Sequence, residues 1–248
     1  MDLKNLNSII TGSNKGIGRE TLIKFSEYGA NIFACARNAN DKNFKIFTND
    51  LERKFNNKIF PIELDLSSKL SIKKASQDIF EKNLNIDVLV NNAAIIDNSL
   101  FQMTKTDKLK NLFEINFFSH FFFTQLILKK IIKNKSGSII FVSSTSAIDG
   151  NIGRMSYSAS KNAINSFSKT ISRELGRYNI RVNTVSPGLT DTAMMQNNTP
   201  EEIKKEVLKN ISLGRIAKPV EIAETISFLA SKNSSYITGQ NIRVDGGL

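Results

Sequence analysis

Seven runs rich in β-branched and aromatic residues recur along the chain: NSIIT (7–11), NIFACA (31–36), KIFPIEL (58–64), IDVLVNN (86–92), SIIFVSS (138–144), IRVNTVS (180–186) and NIRVD (241–245). Between them lie longer segments of helical period, which place helices at 17–28, 40–55, 69–83, 105–133 and 156–177, with two short ones inside 200–231. Strands apolar on both faces and separated by helices imply a parallel sheet covered on each side. Right-handed crossovers then wind that sheet in both directions. The chain has 248 residues, no internal repeat and no low-complexity linker, so it reads as one α/β domain over 1–248, a Rossmann-type doubly wound sheet of about seven strands.

Composition narrows the function classes. Cys35 is the only cysteine and His120 the only histidine, which leaves no disulfide, no thiolate cluster and no multi-histidine metal site. His120 reads as a packing or surface residue. The uncharged run INFFSHFFFTQLIL (115–128) is short of the ~20 residues needed to span a membrane, so it reads as a buried helix or one packed on another subunit. No secretory signal opens the sequence, and the expected location is cytoplasmic. The formal charge of +11 is either compositional drift in a Lys-, Asn- and Ile-rich chain or an attraction for an acidic partner.

In a doubly wound sheet, ligands sit beyond the carboxyl ends of the strands. Here those ends read TGSNKGIG (11–18), NNAA (91–94), Ser143–Ser144 and SPG (186–188), small or polar in every case. Glycines 12, 16 and 18 lie between the first strand and a helix, where backbone N–H groups can take a pyrophosphate. The cofactor-contacting residues of that loop are therefore Gly12, Ser13, Asn14, Lys15, Gly16, Ile17 and Gly18. An NAD site wants an acid at the end of the next strand. This chain instead has ACARNAN, with Arg37 and no carboxylate before Asp41. A guanidinium suits a 2′-phosphate, and Lys15 adds a second cation. Each alone is also what a solvated surface looks like; together, with the acid missing, they indicate NADP. Asp65, followed by Leu66, either meets the adenine edge or serves as a turn and cap residue.

YSASK (157–161) puts Tyr157 and Lys161 on one helical face. A phenol of pKa ~10 is a poor acid at neutral pH. A neighbouring ammonium would lower that pKa, making the pair a tuned proton donor. Ser144 lies thirteen residues upstream, and strand alternation turns Ser143 to the other face.

Taken in order, TGSNKGIG, NNAA, the serine pair, YSASK, SPG and ITGQNIRVDGG resemble the short-chain dehydrogenases/reductases over essentially the whole chain. SYSASKNAI, IRVNTVSPG and LGRIAKPVEIAETISFLAS look most like the β-ketoacyl-[acyl-carrier-protein] reductase group. The resemblance implies Tyr157 as proton donor, Ser144 as the substrate-oxygen contact, Lys161 as partner of both tyrosine and ribose, and Asn116 as the residue linking Lys161 to water. It implies cofactor contacts from Asn92, Ala93, Pro187, Gly188, Leu189 and Thr192, and a substrate lid over 189–218. It also implies a homotetramer, with a dimer as the alternative, and an acidic carrier docked beside the cleft by Arg173 and by Lys129 or Lys130, unless these are simply solvated cations. Where the family has NNAG this chain has Ala94. If positive φ is required there, alanine costs roughly 1 kcal/mol; if smallness suffices, it costs nothing.

The expected activity is NADPH-dependent reduction of a β-ketoacyl thioester, free or on its carrier, without nucleic acid or membrane. A sugar, polyol or other alcohol as substrate is the alternative on the same scaffold. A non-catalytic NADP- or nucleic-acid-binding protein is the remote one.

Overall fold

The computed structural model describes residues 1–248. Its strands are β1 (Asn7–Thr11), β2 (Asn31–Ala36), β3 (Ile59–Glu63), β4 (Val88–Asn91), β5 (Gly137–Val142), β6 (Ile180–Pro187) and β7 (Asn241–Val244). They form one sheet in the order β3-β2-β1-β4-β5-β6-β7, every neighbouring pair parallel. The order reverses between β1 and β4, which opens a crevice at that point. Strands begin or end within one or two residues of the sequence expectation.

Burial explains why these segments are strands. All five residues of β1 are buried, and Ile9 and Ile10, adjacent in sequence, belong to different apolar layers on opposite faces of the sheet. One layer gathers Leu22, Phe25, Val88, Val185 and Ile226; the other gathers Phe33, Ile72, Phe123, Ile139 and Val182. Burying each such side chain contributes about 1.5–3 kcal/mol, and both faces of the sheet are covered.

The helices are α1 (Gly16–Glu27), α2 (Lys42–Phe55), α3 (Lys69–Glu81), α4 (Thr106–Phe113), α5 (Ser119–Lys133), α6 (Ser146–Asp149), α7 (Met155–Leu175), α8 (Ala193–Asn198), α9 (Glu201–Asn210) and α10 (Pro219–Ala230). Asp41 caps α2 by accepting from Phe44 N at 3.0 Å, and Ser68 caps α3 by accepting from Ser71 N at 3.2 Å. The N-cap of α1, Lys15, makes no side-chain capping bond, so the first N–H groups of this helix remain open to an anion.

Two expectations need correction. The single helix over 105–133 is instead α4, a π turn over Glu114–Phe118, and α5. The widened turn carries Asn116, whose side chain bonds the Ile95 backbone in both directions. Apolar periodicity does not register such a tertiary bond. The short helices α6 and α8 were not expected either, because four and six residues hold too little period to detect.

Candidate active site

The ends of β1, β4, β5 and β6 converge on a crevice of ≈ 700 Å³. Its first wall is the loop after β1. Gly12 has φ +68°, and a Cβ there would stand 3.0 Å from Ala93 Cα. A Cβ on Gly18 would collide with the Gly12 carbonyl, so α1 starts hard against the loop. Asn92 fastens the end of β4 to this loop, its amide donating to Thr11 O at 2.9 Å. Thr11 Oγ1 accepts from Asn92 N at 2.9 Å and Ala93 N at 3.0 Å. Ala94 does not have a positive φ; at this position it carries no left-handed strain.

Of the residues singled out from sequence, Gly12, Asn14, Lys15, Gly16, Ile17, Arg37, Asp65, Leu66, Asn92 and Ala93 line the crevice, as do Ser144, Tyr157, Lys161, Pro187, Gly188, Leu189 and Thr192. Ser13, Gly18 and Asn116 do not. Ser13 is fully buried and turned the other way, with N and Oγ both donating to Cys35 O at 3.0 Å. It stitches the loop to β2. Asn116, also fully buried, holds Ile95 by its N and its O, each at 2.9 Å, and donates to Ser160 Oγ at 3.2 Å.

Asp65 is used as a turn residue: its Oδ1 accepts from Ser67 N at 2.9 Å and Ser67 Oγ at 2.8 Å. Those bonds, the amide first, hold its carboxyl below the usual carboxylate range, with the Arg37 charge as a smaller cause. Arg37 Nε lies 4.0 Å from Asp65 Oδ1, and the Arg37 side chain is mostly exposed. The lining carries four cations, Lys15, Arg37, Arg154 and Lys161, against the single carboxylate of Asp65. Two positive-φ glycines, an uncapped helix N-terminus and this charge balance fit a dinucleotide phosphate.

Tyr157 and Lys161 are both buried, on one face of α7. Lys161 Nζ donates to Val142 O at 2.7 Å and stands 5.9 Å from the centroid of the Tyr157 ring. Burial pulls the Lys161 pKa down to about 7. Burial pushes the Tyr157 phenol up; Ser144 and then the charge of Arg154 work against that rise. In the free chain desolvation outweighs the charge effects at both groups, and the charge acting on the phenol is that of Arg154.

Sequence reasoning missed Arg154, half-buried on the crevice wall; Met194, Met195, Asn197 and Asn198 of α8, which also line it, fall within the expected lid over 189–218 but are not singled out by the sequence. Arg154 lies three residues before Tyr157 but is the N-cap of α7, with non-helical φ −120° and ψ 21°, so helical periodicity does not point to it. His120 is a packing residue, its ring nitrogens 2.7 Å from Ala93 O and 3.0 Å from Asn91 Oδ1. Burial first, then Lys161, lowers its pKa to about 4. Arg173, Lys129 and Lys130 lie toward the C-terminal ends of α7 and α5. At 1.5 Å rise per residue, Arg173 is ~24 Å from Tyr157 along the helix. None of the three lines the crevice.

A family model described as Enoyl-(Acyl carrier protein) reductase matches residues 12–248. The chain belongs to the short-chain dehydrogenase/reductase family. The 3-oxoacyl-[acyl-carrier-protein] reductase FabG of Thermotoga maritima is 38% identical over 100% of this chain and 99% of its own. The protein of the same name from Aquifex aeolicus is 35% identical over 97% and 96%. A solved 7α-hydroxysteroid dehydrogenase complexed with NADH and 7-oxo glycochenodeoxycholic acid superposes with TM-score 0.91 at 30% identity, covering 99% of this chain and 95% of that one. A short-chain type dehydrogenase/reductase from Mycobacterium marinum gives TM-score 0.91 at 26% identity, covering 99% and 96%. This short-chain dehydrogenase/reductase is an oxidoreductase acting on CH–OH groups. No helix in it is long and apolar enough to cross a membrane.

Proposed function

We propose that the protein is an NADPH-dependent reductase of β-ketoacyl thioesters, free or carried by an acidic acyl carrier protein. The observation that carries this reading is the convergence of Ser144, Tyr157 and Lys161 in a crevice whose lining is four cations to one acid. Full-length identity to two proteins named 3-oxoacyl-[acyl-carrier-protein] reductase supports the substrate class.

In this mechanism the uncapped start of α1 and Gly12–Gly18 hold the pyrophosphate, and Lys15 and Arg37 hold the 2′-phosphate. Asp65, Leu66, Asn92, Ala93, Pro187, Gly188, Leu189 and Thr192 complete the cofactor walls. When bound, NADPH supplies the hydride for the carbonyl carbon. Ser144 hydrogen-bonds the substrate oxygen, and Tyr157 gives its Oη proton to that oxygen. Lys161, its pKa lowered by burial in the free chain, would in its ammonium form stabilise the phenolate left behind. Asn116 positions Ile95 and Ser160 behind the pair rather than touching substrate. Residues 189–218 act as the lid, with Met194 and Met195 on the crevice. The single buried cysteine, unpaired, suits a reducing cytoplasm.

A homotetramer is part of the proposal. Phe118 and Phe121 on the α5 side are half-exposed and join Phe117, Phe167 and Phe141 in an aromatic cluster. Covering such a patch favours association. Another alcohol or ring ketone is the competing reading, favoured by the 30% identical hydroxysteroid dehydrogenase. NADPH oxidation measured over acetoacetyl thioesters, sugar ketones and simple diketones, repeated with Tyr157→Phe, decides between them. Turnover of a sugar ketone with none of the thioester would overturn the proposal.

A further inference from the structure

Arg154 is the one charged group on the crevice wall that the mechanism above leaves without a role. It sits at the N-cap of α7 and lines the same crevice as Tyr157. Its Nη2 donates to Thr199 Oγ1 at 2.8 Å and Asn198 O at 3.3 Å, where α8 gives way to α9. Asn98 donates to the same Asn198 carbonyl at 2.6 Å. A guanidinium has five N–H donors, and these two bonds use one nitrogen. Nε and Nη1 have no protein partner. Nearby walls are apolar, including Ile95, Ile96, Met194 and Met195. A half-buried cation with free donors on the crevice wall can donate to a ligand oxygen.

Resting on the thioester-reductase reading, we propose that Arg154 determines specificity: it holds the lid through Nη2 and donates its remaining N–H groups to a second substrate oxygen, the thioester carbonyl two carbons from the ketone. With the ketone oxygen at Tyr157 and Ser144, the second oxygen of a 1,3-dicarbonyl is the acceptor for the free N–H groups of Arg154, which lines the same crevice. A monoketone offers nothing to the second position. Arg154 also brings a positive charge to the phenol, so a charge effect must be separated from a hydrogen bond.

The experiment compares Arg154→Met, Arg154→Gln and Thr199→Val on acetoacetyl-N-acetylcysteamine and on cyclohexanone. Arg154→Met should lower kcat/KM for the thioester roughly 10- to 100-fold, mainly through KM, as expected for losing a charged hydrogen bond, and lower that for cyclohexanone by a clearly smaller factor, through kcat, as the charge acting on the phenol is lost. Arg154→Gln, which keeps two N–H donors without charge, should recover part of the thioester loss. Thr199→Val, which removes the bond to Thr199 Oγ1 and leaves the longer one to Asn198 O, should preserve the ratio between substrates. Equal losses on both substrates, or a Thr199→Val variant that reproduces the loss, would overturn the inference while leaving the thioester reading intact. A wild-type enzyme that reduces cyclohexanone but not the thioester would overturn both.

Discussion

Lys161 donates from Nζ to the carbonyl of Val142 at 2.7 Å, and Ser143 donates back from Oγ to the carbonyl of Lys161 at 3.1 Å. These reciprocal bonds tie the end of β5 to α7, so the strand that carries Ser144 and the helix that carries Tyr157 cannot move independently. Ser143 is thus a structural clasp between the two halves of the site.

Replacing the phenol tests the proton donor. Tyr157→Phe should lower kcat by about 10²–10⁴-fold, the usual contribution of a positioned acid, with little change in NADPH affinity measured by fluorescence titration. Parallel loss of cofactor binding would point to a collapsed crevice.

The buried ammonium makes stability depend on pH. The Lys161 pKa is lowered by burial to about 7, against ~10.4 in an unfolded chain. Above pH 7 the unfolded state therefore binds more protons at this site, and stability rises with pH. The rise should be cleanest between pH 7 and about 8.5, before ionisation of Cys35 in the unfolded chain acts in the opposite direction; burial keeps that thiol protonated when folded. Melting temperatures of cofactor-free protein should climb across that window and flatten in Lys161→Met. An unchanged slope in the variant would refute the assignment.

Gly18 tests the nucleotide loop. A Cβ there would overlap the Gly12 carbonyl and approach the Asn92 amide, so Gly18→Ala should destabilise the fold by about 1–3 kcal/mol. Urea unfolding, followed by circular dichroism, measures this directly. A neutral substitution would mean that the loop yields without cost.

Arg37 tests cofactor choice. Arg37→Ala should raise the KM for NADPH by about tenfold or more, as for a lost charged hydrogen bond, and leave the KM for NADH within twofold. Since Arg37 is mostly exposed, the effect should shrink with added salt. Equal effects on both cofactors would remove the 2′-phosphate from the account.

Acid should unfold the chain through His120. Its pKa is lowered by burial to about 4, against ~6.5 when unfolded, so stability falls as pH drops through that interval. His120→Gln, able to keep one bond to Ala93 O or Asn91, should lose less stability between pH 6.5 and 4 when followed by thermal melts.

The sequence by itself determined the architecture, because runs apolar on two faces, separated by helices, leave few arrangements other than a covered parallel sheet. It also located the glycine loop, the strand-end residues and the Ser144–Tyr157–Lys161 set, since chemistry at strand ends is visible as small and polar residues following apolar ones. What only the tertiary structure decided were bonds between segments distant in sequence. Ser13 turns to the Cys35 carbonyl, Asn116 reaches Ile95 from a π turn, and Arg154 grips Thr199. The balance at Tyr157 and Lys161 likewise came from burial, which no spacing of two residues on one helix reveals: periodicity records which way a side chain faces, whereas desolvation depends on everything packed around it.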